Sequence, residues 1–349
     1  MNSIDHYLEK ITPVDRSILK IIQKRLDAQT KPLGSLGRLE ELCRQLALAQ
    51  GSPDITCEKK MIFTLASDHG VVEEGVSAYP QSVTAQMVAN FLQGGAAVNV
   101  LARHAGAAVV VVDVGVATEL KMSGVLDRKI AFGTANFAKG PAMSREQAET
   151  AIMTGIELAL NHEFDLLGTG DMGIGNTTPS AAVVSVLTGI DPERITGRGT
   201  GIDDGTLRKK VEVIRHGIAR NNPDPRDPVD VLAKVGGFEI GGIAGLIIGT
   251  ALKRKLAVVD GFISTAGAMI ASNLNRELAD YFLLSHLSAE KGHGLFAEYL
   301  GKRPILDLGM RLGEGTGAAL AMELIDAAVR LYHDMASFEQ AGVDRKKEG

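Results

Sequence analysis

The chain has 349 residues, 45% of them hydrophobic and 23% charged, with 40 glycines and no tryptophan, enough to bury a substantial core without disulfide or metal staples. A net charge of −5 gives no electrostatic basis for nonspecific binding to nucleic acid or anionic lipid. Cys43 and Cys57 form neither a CxxC nor a zinc spacing, the opening MNSIDHYLEK lacks a signal peptide's apolar stretch, and no apolar run approaches the roughly 18 residues of a membrane span. These features set the expectation of a cytoplasmic protein with reduced thiols and no nucleic-acid or membrane partner.

In chain order, residues 1–50 read as helical: Ile18, Ile21, Ile22 and Leu26 recur at helical spacing, as do Leu39, Leu42, Leu46 and Ala49. Lys31 to Gly37, KPLGSLG, joins them as a turn-rich loop. From residue 60 short apolar runs alternate with longer helical segments. Strands are predicted at Met61–Ala66, Ala107–Val112, Phe164–Leu167, Leu256–Val259 and Tyr281–Leu284, and helices at 83–92, 96–105, 145–160, 178–187, 240–253 and 263–273. The strand candidates do not alternate polar with apolar residues, which suits a parallel sheet buried on both faces, and the alternation with helices argues an α/β fold. NNPDPRDP (221–228) reads as a surface loop. A last helix over 316–335 places Leu320, Leu324, Ala327 and Leu331 on a stripe suited to packing against the N-terminal helices, and the tail AGVDRKKEG reads as frayed.

Each strand candidate discharges small, acidic or imidazole residues: Ser67-Asp68-His69-Gly70, Asp113-Val114-Gly115, Gly168-Thr169-Gly170-Asp171, Asp260-Gly261 and Ser285-His286. Ligand crevices of open parallel sheets lie beyond the carboxyl ends of the strands. Gly168 to Pro179, GTGDMGIGNTTP, joins a buried strand to a helix through four glycines and two threonines, and unobstructed N–H groups at a helix N-terminus make a phosphate site as readily as a capped turn. It lacks the Lys-Ser/Thr of a P-loop and does not match GxGxxG, so ATP and NAD are not indicated. Gly309 to Gly317, GMRLGEGTG, is a second glycine-rich turn ahead of a helix. Glu314 there has no bulky neighbour, a place for a general base or, more often, for an acid complementing a helix N-terminus. Ser67-Asp68-His69 cannot adopt triad geometry as consecutive residues, and no G-x-S-x-G elbow occurs. The segment through Tyr79 suits lining a pocket for a planar ligand. His286, Glu290 and His293 are spaced H-x-x-x-E-x-x-H, but Lys291, Gly292 and Gly294 interrupt a ligand-bearing helix, and no metal is expected.

Taken together, the segments resemble the nicotinate-nucleotide–dimethylbenzimidazole phosphoribosyltransferase family. The matching stretches are TKPLGSLGRLE (30–40), SDHGVVEEGVSAYPQSVTAQMVANFLQGGAAVNVLAR (67–103), GDMGIGNTTPSAA (170–182), GGFEIGGIAGLI (236–247), DGFISTAGA (260–268), SHLSAEKGH (285–293) and LDLGMRLGEGTGAALA (306–321). The resemblance implies a Rossmann-like parallel-sheet large domain, 59–315, and a smaller helical domain from both chain ends, 1–58 plus 316–349, in a homodimer. It implies Glu314 as general base, with Asp171 as the second carboxylate; many members carry glutamate there, and the shorter side chain suits a structural hydrogen bond. It implies a phosphate site over Gly173 to Thr178, including Gly173, Gly175, Asn176, Thr177 and Thr178, with Lys210, or its neighbour Lys209, and with Gly313 beside the base. Ser77, Tyr79 and Gln86 are implied for the dimethylbenzimidazole pocket, and no metal or cofactor is implied. The implied reaction belongs to cobalamin biosynthesis: transfer of 5-phosphoribosyl from nicotinate mononucleotide to a benzimidazole nitrogen. Two rivals from the residues alone are a pyrophosphate-releasing phosphoribosyltransferase, which would want Mg²⁺ and an acidic pair, and a non-catalytic nucleotide sensor.

Overall fold

The computed structural model describes residues 3–199 and 201–344, so the last five residues of the AGVDRKKEG tail and the outermost positions of the 1–58 and 316–349 segments lie outside the described residues. Six strands are present among the described residues: β1 Lys60–Ser67, β2 Ala107–Gly115, β3 Leu126–Asp127, β4 Leu166–Met172, β5 Leu256–Val259 and β6 Phe282–Leu284. They form one parallel sheet in the order β3-β2-β1-β4-β5-β6, the α/β architecture expected from the apolar runs. β3 was not anticipated, because two residues carry no periodicity.

β1 is buried from Ile62 to Ser67, and its alternating side chains meet helices on both faces. Ile62 abuts the start of helix Thr316–Asp334, while Leu65 abuts helix Phe238–Leu252 at Gly242. The latter helix crosses Arg145–Leu160 so closely that a Cβ on Gly155 or Gly245 would overlap the facing backbone. β4 starts later than the sequence suggests and continues through Gly168-Thr169-Gly170-Asp171, in register with β1 at Leu65↔Asp171. What reads as a glycine loop is therefore strand. Its glycines serve close approach: a Cβ on Gly170 would run into the Glu314 backbone.

Helices Asp204–Asn221 and Pro228–Val235 were also not anticipated. Asp203 caps the first through the Thr206 N–H at 2.7 Å, and Asp227 caps the second, whose first residue is Pro228. The proline-rich segment between them is a connection, as expected. The stripe expected on the last helix requires correction. Helix Thr316–Asp334 buries Ala318, Ala321, Met322, Ile325, Ala328, Val329 and Tyr332, whereas Ala327 is exposed and Leu320, Leu324 and Leu331 are half-buried. Small residues face inward because this helix lies directly on β4 and on helix Ala97–Ala105. Its far end is gripped by the N-terminal helices: Arg25 Nε donates to the Tyr332 carbonyl at 3.0 Å and Gln29 Nε2 to the Leu331 carbonyl at 2.7 Å. Among the described residues no helix is long and apolar enough to cross a membrane.

Candidate active site

A cleft of about 460 Å³ opens beyond the carboxyl ends of β1, β4 and β5, where the strand-end residues converge. One wall is the Val76–Tyr79 segment with Val83 and Met87 of helix Ser82–Gln93. The floor is Asp171 to Thr177, and the far side is built from Gly261 to Ile263, Ser288, Glu290 and Arg311 to Glu314.

Glu314 sits in a turn whose three consecutive residues have positive φ: Gly313 at 86°, Glu314 at 67° and Gly315 at 101°. The flanking positions need glycine, because L side chains rarely adopt that conformation. The turn is held from three sides. Thr64 Oγ1 of β1 donates to the Glu314 carbonyl at 2.9 Å, Thr316 Oγ1 to the Gly313 carbonyl at 2.8 Å, and the Gly315 N–H donates to Asp260 Oδ2 at 3.0 Å. The side chain, 6% exposed, receives the Val98 backbone N–H at the start of helix Ala97–Ala105. Its Oε2 has no partner. Burial pushes the carboxyl up to about 7 against the pull of the Val98 N–H, and the neighbouring Asp260 adds to the rise.

At the other end of the cleft, Lys210 of helix Asp204–Asn221 is 1% exposed and its Nζ donates to Thr177 Oγ1 at 2.7 Å. Burial lowers its ammonium to about 8, opposed by the Glu290 carboxylate. Glu290 Oε2 accepts the Gly199 N–H at 3.3 Å. In the floor turn, the N–H groups of Ile174, Asn176 and Thr178 bond to Thr84 Oγ1 and to the carbonyls of Gly173 and Gly175. Lys210 and Thr177 thus add side-chain donors beside a turn that has committed part of its backbone.

Beneath the floor lies a set of buried ionisable groups. Asp171 accepts Asn176 Nδ2 at 2.9 Å on Oδ2 while Oδ1 has no partner. Burial first, then Asp260 and Glu239, push its carboxyl well above the usual range. Asp260 follows β5 and receives the N–H groups of Gly315, Gly317 and Ala318. The His69 imidazole lies 3.0 Å from Glu239 Oε1, an ion-pair distance without hydrogen-bond alignment. Burial opposes the imidazolium there, but Glu239 and Asp68 outweigh it and raise its proton affinity.

Of the residues expected from sequence, Glu314, Asp171, Ser77, Tyr79, Gly173, Gly175, Asn176, Thr177, Lys210 and Gly313 all line this cleft. Two do not. Gln86 is exposed, because the helix turns Val83 and Met87, one turn apart, to the cleft and carries the intervening amide away. Thr178 is fully buried behind the floor, its hydroxyl unpartnered, since the side chain at the second helical position points to the core. Lys209 is exposed, with its Nζ beside Gly75, and Lys210 is the lysine of this helix that lines the cleft. His293 accepts the Ser288 N–H on Nδ1 at 3.0 Å and meets Thr265 Oγ1 through Nε2 at 2.9 Å, so both its nitrogens are engaged within the fold. Sequence reasoning missed Met87, Met172, Ser288, Arg198 and Arg311. Ser288, Arg311 and both methionines stand inside stretches that carried the resemblance, but the methionines offered no chemical signal of their own.

Comparison with known proteins places this geometry in a family. A family model described as Phosphoribosyltransferase matches residues 11–343. The nicotinate-nucleotide–dimethylbenzimidazole phosphoribosyltransferases of Geotalea uraniireducens and Geobacter sulfurreducens are 56% and 55% identical, each over 98% of this chain and 99% of their own length. The crystal structure of CobT from Thermus thermophilus superposes with a TM-score of 0.91 at 47% identity, covering 95% of this chain and all of that one. The chain belongs to the nicotinate-nucleotide–dimethylbenzimidazole phosphoribosyltransferase family.

Proposed function

We propose that the protein transfers the 5-phosphoribosyl group of nicotinate mononucleotide to 5,6-dimethylbenzimidazole, giving α-ribazole 5′-phosphate and nicotinate for the cobalamin nucleotide loop. The reaction is a single displacement with Glu314 as general base. The observation that carries this reading is the Glu314 carboxylate: it faces the cleft, keeps Oε2 unpartnered and has a proton affinity near neutrality. A benzimidazole attacking through one nitrogen becomes cationic unless its other N–H is lost. A carboxylate at that N–H takes the proton as the new bond forms, and a base matched to ambient pH does so most effectively. Nicotinate leaves from its pyridinium as a neutral ring bearing its carboxylate, so the leaving group needs no acid. One displacement inverts the anomeric carbon from β to α.

Val76, Tyr79, Val83, Met87 and Met172 give the cleft that Glu314 faces an apolar character, suited to a planar methylated base, with Ser77 among them. Lys210, Thr177 and the turn from Gly173 to Asn176 hold the nucleotide phosphate about a cleft's length away, and much of the acceleration is then positional. Asp171, bonded to Asn176, braces the turn between the two ends. We assign residues 1–58 and 316–349 to a small helical domain and 59–315 to the catalytic domain, in a cytoplasmic homodimer. The grip of Arg25 and Gln29 on the end of helix Thr316–Asp334 supports that division.

Glu314→Gln tests the reading. The amide keeps an oxygen for the Val98 N–H but cannot accept a proton. Nicotinate release, followed by chromatography, should fall roughly 10²–10⁴-fold with nucleotide binding little changed. The deficit should shrink for an N-alkylated benzimidazole that attacks without deprotonation. A stable variant with near-normal turnover would overturn the assignment.

A further inference from the structure

Building on Glu314 as the base, we infer that His286 is a positioning residue for it, acting through Asp260. The Asp260 carboxylate is fully buried and both its oxygens are occupied. Oδ2 accepts the Gly315 N–H at 3.0 Å, and Oδ1 accepts those of Gly317 at 2.8 Å and Ala318 at 3.1 Å. These three donors are the residue after Glu314 and the first turn of the helix that follows. A protonated acid does this work less well, because its hydroxyl oxygen carries a hydrogen and is the weaker acceptor. The clamp is therefore strongest with Asp260 as an anion, in a site where burial favours the neutral acid.

The imidazole of His286 is the basic side chain beside Asp260. It is 1% exposed, with Nδ1 3.8 Å from Asp260 Oδ1 and 2.9 Å from Ser285 Oγ. Its Nε2 has no partner and lies just behind Gly261 on the far side of the cleft. The fold makes room for this ring: a Cβ on Gly317 would overlap Nδ1. β5 and β6 pair in parallel as far as Val259↔Leu284, which delivers Asp260 and the Ser285-His286 pair side by side.

The other titratable groups around this pair do not replace His286. Asp171 on β4 and Glu239 at the start of helix Phe238–Leu252 are acids, and Glu239 adds to the rise of Asp171. His293 stacks on His286 with ring centroids 6.4 Å apart. Burial, aided by His286, holds it neutral down to about 3, consistent with the N–H it accepts from Ser288. Asp260 in turn is the neighbouring anion that adds to the rise of Glu314. Without His286, Asp260 should take up a proton more readily, which weakens its hold on the turn and removes the charge that adds to the rise of Glu314.

The test is the pH profile of nicotinate release from nicotinate mononucleotide and dimethylbenzimidazole by His286→Ala, His286→Asn and His286→Gln, alongside Glu314→Gln. Asparagine places an N–H donor near the Nδ1 position; glutamine places one near Nε2. His286→Ala should lose roughly 10–100-fold in kcat, the scale of a misplaced catalytic group, with the nucleotide KM within about twofold. Its acid limb should move to lower pH. Asparagine should restore most of kcat and return the limb, while glutamine should not. If the alanine variant does not fold, the asparagine–glutamine contrast decides. An unmoved acid limb, or an equal loss at every pH in all three variants that follows their thermal stability, would reduce His286 to a packing residue and overturn the inference. Should Glu314→Gln be inactive while His286→Ala keeps the wild-type limb, only this inference fails. Should Glu314→Gln turn over normally, the base assignment fails first.

Discussion

Lys210→Met removes a buried ammonium while keeping most of the side-chain volume, so its effect separates charge from packing. Nζ is sealed from solvent, bonds to Thr177 Oγ1 at 2.7 Å and faces Glu290 across the cleft end. A phosphate entering there would meet a desolvated cation, and a hydrogen bond to a charged partner in such a place contributes about 1.5–3 kcal/mol. At about 1.4 kcal/mol per tenfold, that is roughly 10–150-fold in nucleotide affinity. The same contact persists from ground state to transition state, so the loss should fall on KM and leave kcat within a few-fold. Initial rates of nicotinate release at saturating acceptor, across a range of nicotinate mononucleotide concentrations, measure both. Lys209→Met is the matched control: that side chain is exposed, and its substitution should leave KM within about twofold, as surface changes usually do. An unchanged KM in Lys210→Met, in protein of normal thermal stability, would refute the phosphate role.

Because burial holds the Glu314 carboxyl near 7 and the Lys210 ammonium near 8, kcat/KM for the nucleotide should be bell-shaped. The base is lost to protonation below the lower value and the ammonium loses its proton above the upper one, so activity should peak in the interval between. In kcat the descending limb should move to higher pH, since a bound phosphate keeps the ammonium charged; coincident limbs in both profiles would count against Lys210. Met87→Ala should raise the acceptor KM about 5–30-fold, for roughly 1–2 kcal/mol of apolar contact. Gln86→Ala should leave it nearly unchanged, and the reverse order would reinstate the amide as the pocket residue.

The sheet was legible because parallel strands covered on both faces read as uninterrupted apolar runs, and five of the strands were found that way. β3 escaped because two residues leave no pattern. Helix Asp204–Asn221 escaped for a different reason. Its sequence, DGTLRKKVEVIRHGIARN, is dominated by charge, and nothing local distinguishes Lys210, which is buried, from Lys209, which is not. Only the resemblance singled it out. Gln86, implied for the pocket by the resemblance, lies exposed, whereas the thioether of Met87 one residue on lines the cleft. Asp260 and His286 were visible as strand-end residues, yet their pairing depends on β5 and β6 being neighbours, a long-range fact that no local spacing encodes.

Three carboxyl groups face the cleft, and their surroundings divide the work among them. Glu290 accepts the Gly199 N–H and lies beside Lys210, so its charge is committed to the phosphate end. Asp171 is crowded by Asp260, Glu239 and Glu314 in a fully buried place that pushes its carboxyl well above the usual carboxylate range, and its bond to Asn176 suits a bracing role. Glu314 lies between these extremes. The dipole of helix Ala97–Ala105 and the Val98 N–H favour its anion, while burial and Asp260 oppose it. The backbone that puts it there is unfavourable by itself, since a non-glycine residue at a φ of 67° costs about 1–2 kcal/mol. The bonds from Thr64, Thr316 and the Asp260 clamp offset that cost. The carboxylate is thus fixed before a substrate arrives, and it need not reorganise as positive charge develops on the attacking base. The unpartnered Oε2 and the turn that fixes it are the physical ground for proposing Glu314 as the base.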